Sequence, residues 1–94
     1  MTYTSDTMNA FVNDMNALLR DAFAVGHVFI GFFDNAADFH ITVHQVKYVK
    51  LVDNHVVFYN DADVVLAEVD LSHLGTGYSV NIMSDSISVF FRHA

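Results

Sequence analysis

The chain has 94 residues, with four Lys and Arg against eleven Asp and Glu, a formal charge of −7, and 53% hydrophobic residues including nine Phe and four Tyr. That apolar and aromatic content excludes a disordered acidic tail. The shortage of cations argues against direct binding to DNA or RNA, where affinity comes chiefly from Lys and Arg displacing phosphate counterions. The absence of Cys excludes disulfides, thiolate metal ligands and thiol nucleophiles.

This length predicts a single domain over residues 1–94 with limited room for a deep pocket. No apolar run reaches the roughly 20 residues that span a bilayer. The opening Met1-Thr2-Tyr3-Thr4-Ser5-Asp6 lacks the basic residues and apolar stretch of a secretory signal, so a cytoplasmic location is expected.

Residues 5–25 read as one amphipathic helix, because Met8, Phe11, Val12, Met15, Leu18, Leu19, Ala22 and Val25 recur at three-four spacing. Ser5 or Asp6 is placed to cap its start and Gly26 to end it. Asn9, Asn13 and Asn16 are assigned to the outer face with Asp14, Arg20 and Asp21. As poor helix formers, these Asn leave packing of the apolar stripe to supply much of the stability.

A hairpin of 27–33 and 38–44 follows, joined by Asp34-Asn35-Ala36-Ala37. That loop sets Phe32 opposite Phe39, Ile30 opposite Ile41 and Val28 opposite Val43. The reverse side carries Phe29 and Phe33 with His27, His40, Thr42 and His44. Gly31 there marks a bend or the close approach of a ring. Between Phe39 and Val52 the apolar positions change parity, as in a strand that passes from one packing environment to another, or that turns near His44-Gln45.

Next comes a three-stranded meander. Asp53-Asn54 as a two-residue turn pairs Val49 with Phe58 and Leu51 with Val56. A second turn at Asn60-Asp61-Ala62-Asp63 sets Val65 opposite Phe58 and Ala67 opposite Val56, so two independent turns agree on one buried face. Residues 72–77 form a loop without the spacing of a phosphate-binding motif. A last hairpin turns at Ser84-Asp85, pairing Ile82 with Ile87, Val80 with Val89 and Tyr78 with Phe91. The expected fold is α+β: one N-terminal helix packed on a curved antiparallel sheet of six to seven strands, in the order helix, hairpin, meander, hairpin. The chain has no Pro to protect its edge strands, so a homodimer through strand edges is expected.

No cofactor, metal or catalytic residue is assigned. His27 and His44 face each other in the first hairpin, but His40 lies about 13 Å further along, which leaves two ligands without a third. The register brings no Ser, His and Asp together, and the paired acids Asp61 and Asp63 sit in an open turn. The chain therefore reads as a non-enzymatic acidic binding protein that occupies a basic, nucleic-acid-binding surface of a partner protein. Its contacts are Asp14 and Asp21 on the helix and Asp53, Asp61, Asp63, Glu68 and Asp70 on the meander. Tyr48, Tyr59, Phe29 and Phe33 are its aromatic anchors.

In size, acidity and lack of a catalytic signature the chain resembles the small phage-encoded inhibitors of host defence, including anti-CRISPR proteins. Several of these mimic nucleic acid to block a nuclease's basic channel. The likeness is one of kind and aligns no motif; it implies a host-cytoplasmic inhibitor of a nucleic-acid enzyme. The alternative is a phage or bacterial assembly protein that self-associates through its strand edges and the Phe29 and Phe33 face.

Overall fold

The structure, a computed structural model, describes residues 4–26 and 29–93. Helix α1 spans Ser5–Val25. The span is the one the sequence indicates, but the cap is Thr4 rather than Ser5 or Asp6: the Thr4 hydroxyl accepts from the Thr7 amide, and the Thr7 hydroxyl accepts from the Thr4 amide at 2.8 Å. This is a capping box with Thr in the place usually held by Glu. Gly26, at φ 90°, ends the helix in the left-handed conformation that costs Gly least.

Among the described residues seven strands follow: β1 (Phe29–Asp34), β2 (Phe39–His44), β3 (Tyr48–Val52), β4 (His55–Tyr59), β5 (Val65–Asp70), β6 (Gly77–Ile82) and β7 (Ser86–Arg92), with a 3₁₀ turn at Leu71–His73. They form a four-stranded sheet in the order β2-β1-β7-β6 and a three-stranded sheet in the order β3-β4-β5. The helix, hairpin, meander, hairpin order of an α+β fold is as the sequence indicates. The pattern did not reveal that β1 and β7 pair in parallel, joining the two hairpins into one mixed sheet. This pairing sets Ile30 beside Ile87 and Phe32 beside Val89, so both hairpins present their apolar sides to one core.

The second layer consists of the meander and α1 side by side. Asn16 of α1 spans the outer edge of β3, donating to the Val49 carbonyl at 2.9 Å and accepting from the Val49 amide at 2.7 Å. The helix thus covers a strand edge that would otherwise stand open. Phe11 of α1 packs against Phe32 and Phe91, and Phe58 of β4 packs against Phe32 from the meander side. Phe11, Phe32 and Phe58 are fully buried, each contributing roughly 2 to 3 kcal/mol of transfer free energy. The chain passes between layers at Gln45, which adopts φ 61°, and the buried Val46. A turn beside His44 therefore explains the change of parity between Phe39 and Val52.

The β3–β4 and β6–β7 registers match the sequence reading. The β1–β2 and β4–β5 registers are displaced by two residues: Ile30 pairs with Val43, and Phe58 with Ala67. In the first hairpin Asp34 remains in its strand because its carboxylate accepts from the Ala37 and Gly75 amides. In the second, the Asn60 side chain accepts from the Ala62 and Val64 amides, closing a longer turn, and a bulge at Phe58/Tyr59 absorbs the difference. A displacement of two leaves every side chain on its own face, so face patterning alone does not distinguish these registers.

Candidate functional site

Strand alternation turns Tyr48 and Lys50 of β3, His55, Val57 and Tyr59 of β4, and Glu68 and Asp70 of β5 to the outer surface of the meander. Tyr48 and Tyr59 are cross-strand partners, and their rings stack at 4.9 Å between centroids, 8° from parallel. The Lys50 ammonium lies 5.7 Å and 5.5 Å from the two rings, within cation–π range. The Tyr48 hydroxyl donates to Asp63 at 2.5 Å. That bond to a carboxylate, followed by desolvation, pushes the phenol up to about 12. Lys50 and Glu68 flank Val57 from either side in one cross-strand row, and Val57 is buried beneath them.

The acids named from the sequence divide into three groups. Asp53 sits in the left-handed two-residue turn with Asn54, while Asp61 and Glu68 are exposed and form no ion pair among the described residues. Asp63 and Asp70 serve the fold as well as the surface: Asp63 anchors Tyr48, and Asp70 caps the 3₁₀ turn by accepting from the Ser72 hydroxyl and amide. Those two bonds outweigh desolvation and hold the Asp70 carboxyl below its ordinary value, with His55 and His73 adding charge. Asp14 and Asp21 lie elsewhere, on the flank of α1 that faces β6, where the Tyr78 hydroxyl donates to Asp14 and Asp21 borders a groove with Leu18 and Ile82.

Phe29 and Phe33 occupy the outer face of the four-stranded sheet, on the opposite side of the molecule from the meander surface. Phe33 stacks between His40 at 4.5 Å and Phe90 at 5.1 Å, and Phe29 meets His44 edge-on at 4.3 Å. Gly31 makes room for this ladder, since a Cβ there would stand 2.7 Å from the Phe33 ring. Neighbouring rings on their own sheet leave both Phe half-buried. Stacked on one another, Phe33 and its two neighbours offer ring edges rather than open faces. The outward positions of this sheet hold aromatic, hydroxyl, amide and His side chains with Arg92, and no carboxylate.

The sequence reading missed Asp34. Its side chain is fully buried, accepting from the Ala37 amide at 3.2 Å, the Gly75 amide at 2.8 Å and His93 Nε2 at 2.9 Å. Burial pushes this carboxyl up, but the bonds from Gly75, Ala37 and His93 prevail and hold it below its ordinary value. An Asp and His pair is two parts of a hydrolytic triad, yet His93 bonds only to Asp34 among the described residues, so no hydroxyl nucleophile is in line.

Among the described residues no three His, Asp or Glu side chains come together as metal ligands. His27 and Val28 lie outside the described residues, and the expected facing of His27 with His44, and of Val28 with Val43, is not made: His44 stands opposite Phe29 and Val43 opposite Ile30. Among the described residues no helix is long and apolar enough to cross a membrane. Comparison with protein-family models, with curated proteins and with solved structures finds no match to this chain.

Proposed function

We propose that this chain is a non-enzymatic binding protein whose meander surface occupies a basic, nucleic-acid-binding surface of a partner protein, in the manner of a host-defence inhibitor. The observation that carries this reading is the Tyr48–Tyr59 stack at one end of the meander, fixed by Asp63, with Asp61 in the adjoining turn, Glu68 further along β5, and Asp53 and Asp70 at the far end. Rigid aromatic area at that end supplies affinity, and the carboxylates along the rest of the surface steer encounter and orientation. Asp14, Asp21, Phe29 and Phe33 stand apart from this surface and are not needed for it.

Affinity capture from the native host tests the reading, comparing the wild-type chain with an Asp61→Lys/Glu68→Lys variant. The expected result is a basic nucleic-acid enzyme retained by the wild type, released by salt, lost from the variant and inhibited when purified. Retention that charge reversal leaves intact overturns it. A second reading, self-association of an assembly protein through the Phe29 and Phe33 face, draws on the absence of carboxylates there and on the open edges of β2, β5 and β6.

A further inference from the structure

We infer that, until a basic partner displaces it, a second copy of this chain docks on the meander surface about a twofold axis running along β4. Its basis is the placement of charge. Across this layer the elements run β5, β4, β3, α1, and three of the four Lys and Arg residues, namely Arg20, Lys47 and Lys50, lie on the β3 and α1 side. Glu68 and Asp70 project from β5 on the other side. Arg20, Lys47 and Lys50 form no ion pair among the described residues. A surface acidic on one flank and basic on the other is its own complement once turned through half a revolution.

The register makes this match residue by residue. Lys50 and Glu68 both stand opposite Val57, one strand to each side, at equal spacings of about 4.8 Å from β4. Rotation about β4 exchanges their positions, so Lys50 of each copy lies over Glu68 of the other and the contact is made twice. The same operation brings the Tyr48–Tyr59 stacks together near the axis. It also sets the groove of about 450 Å³ between α1 and β3, lined by Arg20, Phe23 and Lys47, over the β5 side of the other copy.

Apolar area follows the same layout. Phe23 is exposed at that groove, and Val64, Val65 and Leu66 are exposed at the opposing edge. The net charge of −7 opposes association at long range. At physiological salt it is screened beyond about 8 Å, so the short contacts decide.

The test is charge exchange, read by sedimentation equilibrium of the full chain from roughly micromolar to submillimolar concentration. The wild type is expected to approach twice its 10.5 kDa mass. Lys50→Glu and Glu68→Lys are each expected to raise the dissociation constant about tenfold or more, because each sets like charges together at both contacts. An equimolar mixture of the two variants, and the Lys50→Glu/Glu68→Lys double variant, are expected to regain the wild-type constant, while Phe33→Asp leaves it unchanged. A wild type that stays monomeric throughout overturns the inference. So does a mixture that associates no better than its components, or a dimer that Phe33→Asp abolishes and Lys50→Glu does not. Circular dichroism confirms that each variant is folded.

Discussion

The Asp34 carboxylate and the His93 imidazole meet at 2.9 Å, with the acid fully buried and the ring half exposed. Through this contact, and through the Gly75 amide on the same carboxylate, the end of β1, the loop after the 3₁₀ turn and the segment after β7 are tied at one point. Asp34→Ala removes the acceptor and strands the buried Gly75 amide, at a cost of about 2 to 3 kcal/mol. A thermal melt is expected to fall by roughly 10 °C or more. His93→Ala, which removes a half-exposed partner, is expected to cost less. Equal melting temperatures for wild type and Asp34→Ala would refute this role.

Acid sensitivity follows from the same group. In the folded protein the Asp34 and Asp70 carboxyls both lie below the ordinary 3.8. Depressed folded values mean that the native state favours the ionised forms. Their stabilisation is complete above the ordinary value and is lost as pH falls through the folded values. Urea midpoints are therefore expected to be flat near neutrality and to drop below about pH 4. Asp34→Asn is expected to start lower and to show a shallower acid decline, since one of the two linked protons is gone. An unchanged slope would show that Asp34 does not drive it.

The faces of this fold were legible in the sequence because alternation is local: the spacing of Val49, Leu51, Val56 and Phe58 alone declares one side of the meander. What was not legible was polar turn chemistry and global pairing. The displaced registers rest on Asp34 and on Asn60, whose side chains accept from amides two to four residues on, contacts that an apolar pattern does not record. The parallel β1–β7 pairing joins residues more than fifty apart in the chain, and only the match of Ile30 with Ile87 and Phe32 with Val89 hints at it. The candidate site was half legible. Tyr48 and Tyr59 were correctly paired, whereas Asp14 and Asp21, grouped with them by charge, lie on the flank of α1 that faces β6.

Asn16 is the clearest case of a residue whose composition misleads. As a helix residue it is a poor choice, and Ala in its place is worth about 0.5 kcal/mol in propensity alone. Against that gain, Asn16→Ala leaves the partly buried amide and carbonyl of Val49 unpaired on the edge of β3. The net effect is expected to be a loss of about 1 to 2 kcal/mol. A sharper readout is hydrogen exchange at the Val49 amide, expected to accelerate by about tenfold while the central β4 amides hardly change. Retained protection at Val49 would mean that the helix covers this edge without the Asn16 clamp.

Gly75 is constrained by space rather than by backbone angle. A Cβ there would lie 2.2 Å from the Arg92 carbonyl oxygen, a contact with main chain that no rotamer relieves. Gly75→Ala is expected to push the end of β7 away and, with it, to loosen His93 from Asp34. The melting temperature should fall by at least as much as in Asp34→Ala, and combining the two substitutions should cost less than their sum because both break the same junction. Full additivity would separate the two effects.

The Tyr48 hydroxyl offers a spectroscopic handle on the meander surface. Its bond to Asp63 raises it from an ordinary 10.0 to about 12, and a raised folded value in a phenol means that the native state favours the neutral form. The stabilisation is complete below the ordinary value and is lost as pH rises through about 12. Tyrosinate absorbance of the native chain is expected to show one tyrosine ionising above the ordinary range, and Asp63→Asn is expected to bring it back toward 10.0. Asp63 holds φ 62°, a conformation that Asn also tolerates, so this substitution tests the charge without straining the turn. Tyr48→Phe separates the two parts of the surface: it keeps a ring for the stack with Tyr59 but releases Asp63. A partner that needs the aromatic stack should still bind this variant, whereas one that needs the carboxylate held in place should bind it more weakly.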